Sequence, residues 1–164
     1  MGGNTRAVHI DVNGTAVEVL FRPAREEDAK ELLALSGTTD RFHISDDTDA
    51  PDLDELLFWM NDPRSIVLVA EEISAARGAI LAYAYGTCIS PKWFAFEGFM
   101  VTPRLQRHGL GKAMYSYLRD RCSELGIDLI QGLVIDGDDN SLRYWLERGF
   151  EEGKRCVWVE DWLD

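Results

Sequence analysis

One short basic stretch, LQRHGLGKAM at residues 105–114, combines residue types and spacing that are suited to binding an anion. Its basic residues are Arg107, His108 and Lys112, and its glycines are Gly109 and Gly111. The stretch follows a predicted strand and opens a predicted helix, whose first N–H groups have no acceptor within the helix and lie at the positive end of its dipole. Glycine lets an anion approach such a backbone closely, so the pattern predicts a phosphate site.

Two familiar nucleotide-binding motifs do not fit this stretch. A dinucleotide motif G-x-G-x-x-G that starts at Gly109 would need glycine where the chain has Met114. A phosphate loop that ends in Gly111-Lys112 would need glycine in place of Gln106, and a hydroxyl residue after the lysine. A nucleotide-binding α/β domain therefore remains only as the weakest hypothesis.

The elements that must position the stretch follow from hydrophobic periodicity. Predicted strands cover residues 8–12, 15–21, 65–71, 79–89, 93–101, 129–135 and 155–159. Predicted helices cover residues 25–36, 52–60 and 139–148, and a further helix begins at residue 106 or 108 and ends at residue 124. Asn13-Gly14 between the first two strands is a strong signal for a hairpin. The strand 129–135 is nearly continuously apolar, which predicts burial on both faces. We expect one α/β (α+β) domain over residues 1–164, with a mixed, mostly antiparallel sheet of about seven strands flanked by about four helices.

The composition excludes several classes of function. With 29 Asp and Glu against 17 Lys and Arg, the net charge of -12 disfavours nucleic-acid binding and favours cationic partners, or simply solubility. No apolar run reaches the roughly 20 residues of a membrane span, and the N-terminus does not resemble a signal peptide, so a cytoplasmic protein is expected. The three histidines, His9, His43 and His108, do not have metal-ligand spacing, so no metal site is expected.

The pattern that does fit the stretch is Q/R-x-x-G-x-G/A, with Gln106, Gly109 and Gly111 at the required places. Here the chain resembles the Gcn5-related N-acetyltransferase (GNAT) family. Three segments carry the resemblance in the right order: FRPAREEDAKELLAL, FEGFMVTPRLQRHGLGKAM and NSLRYWLERGF. The resemblance implies the GNAT fold, acetyl-CoA as co-substrate and transfer of an acetyl group to an amine.

The resemblance also implies where acetyl-CoA would bind. Its pyrophosphate would lie on the backbone of the glycine-rich loop, which comprises Gln106, Arg107, His108, Gly109, Leu110, Gly111 and Lys112. The main chain of Phe99, Met100 and Val101 would bind the pantetheine arm. Asn140 lies two residues after the place of a family asparagine, which Asp138 occupies here.

Candidates for proton transfer are Glu97 and Tyr144. Glu97 is an acid inside the otherwise apolar strand WFAFEGFMV, and two-residue alternation predicts that it shares a face with Val101. It is the candidate base, because family members often carry a base on this strand. The tyrosine that many members use as the acid falls at Trp145, which cannot donate a proton usefully to a thiolate. The adjacent Tyr144 is the candidate acid if the helix phase allows it, and release of the thiolate to solvent is the alternative.

The acceptor is not named by the resemblance. An acidic segment, with Arg41 as its one basic residue, contains Asp40, Asp46, Asp47, Asp49, Asp52, Asp54 and Glu55. It suggests a cationic small molecule or a peptide amine as acceptor, and the alternative is a solvated acidic loop without a part in recognition. The competing hypothesis to an enzyme is a non-catalytic acyl-CoA-binding sensor or interaction module, which Trp145 keeps open. Trp158 and Trp162 in the C-terminal run suggest a homodimer, or simply the end of the core.

Overall fold

A single six-stranded sheet runs through the part of the chain that the computed structural model describes, which is residues 5–38, 52–73, 78–157 and 159. The strands are β1 (Arg6–Val12), β2 (Thr15–Pro23), β3 (Ser65–Glu72), β4 (Ile80–Ser90), β5 (Trp93–Val101) and β6 (Leu129–Gly132). They lie side by side in chain order. Neighbouring strands are antiparallel except for β5 and β6, which are parallel. The predicted mixed, mostly antiparallel sheet is therefore confirmed.

The hairpin between β1 and β2 turns at Asn13 and Gly14, where it was predicted. Both residues have positive φ, 54° and 85°, as a two-residue turn that matches strand twist requires. The register places Val12 opposite Thr15, so the loop contains only these two residues.

Within the described residues, four helices cover the two faces of the sheet, as expected for this class of fold. They are α1 (Ala29–Ser36), α2 (Leu53–Asn61), α3 (Leu110–Glu124) and α4 (Asp139–Leu146). What we call the first face packs on α1 and α2, and its buried residues include Tyr83, Tyr85 and Met100. The second face packs on α3 and α4, and its buried residues include Phe94 and Phe96. The strand β5 thus supplies side chains to both faces.

A buried ion-pair cluster joins β2 to the 3-10 turn Glu26–Asp28 and to β3. The Arg22 guanidinium donates to both carboxylate oxygens of Asp28 at 2.6 and 2.9 Å, and to Glu71 at 2.7 Å. Arg22 is 3% exposed and Asp28 is fully buried. The two carboxylates hold the pKa of Arg22 above its ordinary value, despite desolvation. The charges are therefore paired where α1 enters the structure.

The C-terminal edge departs from the sequence prediction in two ways. The strand β6 ends at Gly132 instead of residue 135, and its predicted burial on both faces is wrong, since Leu129 is 49% exposed and Leu133 is 69% exposed. Residues 151–157 and 159 are not in a strand, so the described chain has six strands where about seven were predicted. The physical reason is the same for both: no described strand pairs with the outer edge of β6.

Two predictions of the sequence fall on residues that lie outside the described part of the chain. They are the dimer suggested by Trp158 and Trp162, and the acidic residues Asp40, Asp46, Asp47 and Asp49. Among the residues that are described, no helix is both long enough and apolar enough to span a membrane.

Candidate active site

The glycine-rich loop connects the end of β5 to the start of α3. After Val101 the chain makes a 3-10 turn, Pro103–Leu105, and then a turn over residues 106–109. Gly109 caps α3 with φ of 88°, a left-handed conformation that glycine adopts readily. The first hydrogen bond of α3 runs from the N–H of Ala113 to the carbonyl of Gly109 at 3.0 Å. The N–H groups of Leu110, Gly111 and Lys112 therefore precede the hydrogen-bonded ladder of the helix, as an anion site requires.

Space above the loop is open, and some of its basic side chains border that space. A Cβ at Gly109 would meet no atom within 4 Å. Arg107 and Lys112 are exposed and line the adjoining cavity. His108 is half-buried and does not line the cavity, and Leu110 is fully buried in the core, so these two residues offer the cavity no side chain. The loop therefore presents backbone N–H groups and two cationic side chains.

The cavity itself is a split between two parallel strands. Pairing of β5 with β6 ends at Phe96 and Gly132, yet β5 continues to Val101. The chain beyond Gly132 diverges and forms the opposite wall with Leu133, Val134 and Ile135. The resulting cavity has a volume of about 820 Å³ and reaches from Lys112 and Arg107 at the loop to Glu97 on β5. It is large enough for an extended ligand.

The backbone of β5 presents to this cavity main-chain groups that do not pair with β4. The N–H of Thr102 donates to the carbonyl of Leu81 at 2.8 Å, which makes them a hydrogen-bonded pair of the antiparallel ladder. By alternation, the main chain of Met100 points to Tyr83 on β4, whereas that of Phe99 and Val101 points away from β4, into the split. The Gln106 side-chain amide donates to the Val101 carbonyl at 3.1 Å, in agreement with this direction. The expectation that Met100 binds a ligand through its main chain is therefore wrong, because β4 uses those groups.

Helix α4 forms the floor of the cavity, with Tyr144 rather than Trp145 facing the loop. The Tyr144 hydroxyl is buried and has no hydrogen-bond partner among the described residues. A Cβ at Gly111 would stand only 2.8 Å from this hydroxyl, so the tyrosine reaches the first turn of α3. Burial raises the pKa of Tyr144, and the nearby Arg148 opposes the rise.

Trp145 is part of the core. It is 8% exposed and its ring contacts Phe96, Phe99, Tyr115, Tyr144 and Phe150, with centroid distances from 4.6 to 5.6 Å. The sequence placed Trp145 at the position of the usual acid and aimed Tyr144 elsewhere. The structure reverses the two orientations.

The start of α4 is held by Asp138. Its carboxylate accepts from the N–H of Ser141 at 3.1 Å and from the Ser141 hydroxyl at 2.6 Å, which is a helix N-cap. Asn140 is exposed on the rim of the cavity, and its side-chain carbonyl accepts from Arg143 at 2.7 Å. The side-chain N–H₂ group of Asn140 makes no hydrogen bond with a described residue.

Glu97 occupies a β-bulge. Tyr85 of β4 pairs with Gly98, and Gly86 pairs with Phe96. Glu97 is therefore an extra residue of β5, with no residue of β4 opposite it. The bulge shifts the alternation of β5 by one: Phe96 and Val101 belong to the second face, and Met100 to the first. The prediction that Glu97 shares a face with Val101 is therefore wrong. Glu97 lies on the side of Tyr85 and α2, and part of its side chain is exposed.

The pKa of the Glu97 carboxyl is raised above its ordinary value. Desolvation is the main cause, and the negative charge of Glu55 on α2 adds to it.

Only three residues of the acidic segment lie in the described part of the chain, namely Asp52, Asp54 and Glu55. Asp52 is the N-cap of α2, where it accepts from the N–H of Glu55 at 2.8 Å, so its task is structural. Asp54 and Glu55 are exposed in the first turn.

Some residues of the cavity were not found from the sequence. The cavity is also lined by Thr38, which follows α1, by Arg143 on α4 and by Arg148, which follows α4. The guanidinium carbon of Arg148 lies 3.2 Å from the centroid of the Tyr144 ring, and its Nη1 donates to the Tyr144 carbonyl. The i,i+4 spacing of Tyr144 and Arg148 was the available signal for this contact.

Comparison with known proteins identifies the family. The family model described as "Acetyltransferase (GNAT) family" matches residues 28–150. The chain belongs to the GNAT family. No curated protein sequence matches it.

Solved structures that resemble this GNAT chain are distant in sequence. An aminoglycoside acetyltransferase from an uncultured soil metagenomic sample, in complex with sisomicin, is 17% identical with a TM-score of 0.68, over 89% of this chain and 97% of that chain. An aminoglycoside 6'-N-acetyltransferase from Acinetobacter baumannii is 15% identical with a TM-score of 0.69, over 89% and 99%. A Trypanosoma brucei acetyltransferase is 20% identical with a TM-score of 0.65, over 87% and 99%. At these identities the likeness confirms the GNAT fold.

Membership of the GNAT family makes the protein an acyltransferase with acetyl-CoA as its co-substrate. The residues present fit that molecule. A pyrophosphate is suited by N–H groups at the start of α3 that have no acceptor within the helix, by open space above Gly109 and by two cationic side chains. Outward main-chain groups at Phe99 and Val101 suit an extended amide arm, which binds a strand edge as an added strand does.

Proposed function

We propose that the protein is an N-acetyltransferase that moves the acetyl group of acetyl-CoA directly to a primary amine, and that the two substrates meet at Glu97 on β5. One observation carries the proposal. A single cavity has the unpaired N–H groups of α3 at one end and Glu97 at the other, with the outward main chain of Phe99 and Val101 between them. This order matches a donor that is anionic at one end and reactive at the other.

The donor would be held chiefly by backbone groups. The N–H groups of Leu110, Gly111 and Lys112 would donate to pyrophosphate oxygens, and Arg107 and Lys112 would add charge attraction. Asn140 on the rim has N–H₂ protons left to offer, because only its oxygen accepts from Arg143. When bound, acetyl-CoA supplies a thioester whose C–S bond breaks as a C–N bond to the amine forms.

Glu97 is the proposed base. An amine is protonated near neutral pH and must lose a proton before it can attack a carbonyl carbon. The Glu97 carboxylate would take that proton, directly or through a water molecule. Desolvation raises the pKa of Glu97, which makes the carboxylate a stronger base than an ordinary glutamate. The base is active above this raised pKa, so activity is lost as the pH falls through it.

Tyr144 is the proposed acid, because its buried hydroxyl faces the loop without a hydrogen-bond partner among the described residues. Oη would donate a proton to the sulfur as the C–S bond breaks, and would regain one from solvent afterwards. Burial keeps the hydroxyl protonated at neutral pH by raising its pKa. The ammonium loses two protons in all: one passes to Glu97 before the attack, and the nitrogen of the tetrahedral adduct releases the second to solvent. Tyr144 gives one proton to the thiolate and regains one from solvent, so one proton is released in each turnover once Glu97 has returned its own to solvent.

The test is release of free thiol from acetyl-CoA in the presence of a panel of primary amines. We expect amine-dependent release by the unaltered protein, a loss of kcat of about 10²-fold or more in Glu97→Gln, and a smaller loss in Tyr144→Phe. Matched controls are Glu18→Gln, an exposed carboxylate on β2, and Tyr115→Phe, a tyrosine that also contacts the Trp145 ring but does not line the cavity. Both variants should retain activity. Acetyl-CoA binding without release by any amine would favour the sensor hypothesis instead.

A further inference from the structure

The side chain of Arg148 folds back over the end of α4 onto the ring of Tyr144. Its guanidinium carbon lies 3.2 Å from the ring centroid. Its Nη1 donates to the main-chain carbonyl of the same tyrosine, in the last turn of the helix. A residue that follows α4 therefore contacts Tyr144 through both its ring and its backbone.

The positive charge of Arg148 has no carboxylate partner among the described residues. Its Nε–H is buried and makes no hydrogen bond with any of them. The other arginine of this region, Arg143, is exposed and donates to Asn140. A half-buried cation without an acidic partner is unfavourable unless another group attracts it, and the face of an aromatic ring does so. The ring of Tyr144 is therefore the main partner of this charge.

Contacts with neighbouring groups fix the direction of the Tyr144 side chain. Its hydroxyl makes no hydrogen bond with a described residue. The ring lies beside Phe99, with centroids 6.1 Å apart, and edge-on to Trp145, with centroids 4.8 Å apart. The hydroxyl reaches Gly111, where a Cβ would stand 2.8 Å from it. Packing thus sets where the hydroxyl points, and Arg148 supplies the charged part of that packing.

We infer that Arg148 is a positioning residue for Tyr144, which keeps the ring oriented toward the glycine-rich loop and stabilises the phenolate that forms when Oη gives up its proton. In that step the Oη–H bond breaks, an S–H bond forms on the leaving thiolate, and the electron pair stays on Oη as a negative charge. Without a cation, this charge would form in a buried site, where it is costly. The inference rests on the proposed function, because it concerns the acid of the same reaction.

The charges around Tyr144 give the inference a sign that can be tested. Burial raises the pKa of Tyr144 most, Arg148 lowers it, and Tyr115, which faces it from α3, adds to the rise. From β5 the ring faces the uncharged Phe99. Other charged residues that line the cavity are not among the causes of the shift, namely Glu97, Arg107, Lys112, Asp138, Arg143 and Glu147. The protonated hydroxyl is the active acid, so kcat is lost as the pH rises through this pKa. Removal of Arg148 should move that basic limb to higher pH.

The experiment measures kcat of amine-dependent thiol release against pH. Arg148→Met removes the charge and should lower kcat about tenfold, by no more than Tyr144→Phe does, without changing KM for acetyl-CoA. Arg148→Lys keeps the charge and should lower kcat by less than about threefold. Arg148→Gln keeps an N–H donor for the Tyr144 carbonyl and should reproduce the loss even if Arg148→Met does not fold. The control is Arg119→Met, an exposed cation on α3 that does not line the cavity, and it should retain both kcat and the basic limb.

A double-mutant cycle shows whether Arg148 acts through Tyr144. Removal of the arginine charge should hardly change kcat in the Tyr144→Phe background. Equal losses of kcat in both backgrounds would overturn the inference, and so would a basic limb that stays in place without the charge. A raised KM for acetyl-CoA with kcat intact would also overturn it, because Arg148 would then serve to bind the donor.

Titration of the phenol separates this inference from the proposed function. The ultraviolet absorbance of phenolate, taken as the difference between each protein and its Tyr144→Phe counterpart, follows Tyr144 without catalysis. Tyr144 should ionise at higher pH in Arg148→Gln than in the unaltered protein. If Tyr144→Phe retains full kcat yet this difference is found, stabilisation of the phenolate by Arg148 stands and the acid role of Tyr144 fails. If Tyr144→Phe loses activity and the two titrations coincide, the inference fails alone.

Discussion

Replacing Gly111 by alanine tests the position of the Tyr144 hydroxyl. An alanine Cβ would stand 2.8 Å from Oη of Tyr144 and 3.4 Å from Cγ2 of Val101. An ordinary contact begins at 3.4 Å, so the hydroxyl must recede by about 0.6 Å, the difference between 3.4 and 2.8 Å. Arg148, stacked 3.2 Å from the ring centroid, restricts where the ring can go. The substitution therefore displaces the proposed acid without touching it chemically.

The expected magnitude follows from that displacement. A misplacement of about 1 Å in a reacting group costs roughly 10²-fold in rate, so a shift near 0.6 Å should lower kcat about tenfold. Stability should hold, because alanine favours a helix over glycine by up to about 1 kcal/mol and offsets the strain of moving one tyrosine. The assay is amine-dependent thiol release, together with a thermal melt and an acetyl-CoA titration.

A double-mutant cycle with Tyr144→Phe decides the cause. Without the hydroxyl the added Cβ has room, so Gly111→Ala should lower kcat about tenfold in the native background and hardly at all in the Tyr144→Phe background. Equal losses of kcat in both backgrounds would refute the reasoning. A weaker affinity for acetyl-CoA with kcat intact would also refute it, because Gly111 would then act only by making space for the donor.

Three further predictions concern the same framework. Arg22→Met leaves two carboxylates without their partner and should lower the free energy of unfolding by about 3–5 kcal/mol, seen as a fall in Tm of roughly 6–20 °C. Because the pKa of Glu97 is raised, the acidic limb of the profile of kcat/KM against pH should lie above the ordinary glutamate range. Glu55→Gln removes a negative charge that raises this pKa, so the limb should move to lower pH. A move to higher pH would show that Glu55 does not raise the pKa of Glu97. Gly98→Ala, whose Cβ would enter the ring of Tyr85, should destabilise the fold by about 1–3 kcal/mol in urea titrations.

Local signals were sufficient to predict the donor loop from the sequence. Gly109 needs positive φ, Gln106 and Gly111 have fixed spacing to it, and the strand before and helix after are strongly periodic. All of these features depend on residues close together in the chain. The loop, its flanking elements and the GNAT family were therefore correctly predicted from a single sequence.

Features that depend on distant packing were missed. The bulge at Glu97 follows from the close fit of Tyr85 over Gly98, which no pattern within β5 reveals. The choice between Tyr144 and Trp145 depends on the aromatic cluster around Phe96, into which the larger ring fits. Burial of residues 129–135 was predicted from their apolar character, but burial requires a neighbouring element, and none of the described residues supplies one at that edge.

The bulge also explains how one strand can serve two substrates. In a regular strand, Glu97 would alternate in step with Phe99 and Val101 and would project on their side of the sheet. Because one residue is inserted, Glu97 projects on the first face with Tyr85, while the main chain at Phe99 and Val101 stays open to the split beside β6. A donor in that split and an amine that reaches Glu97 from the first face would then approach the same point of β5 from two directions. This geometry permits direct transfer from one substrate to the other, since neither substrate has to leave before the other binds.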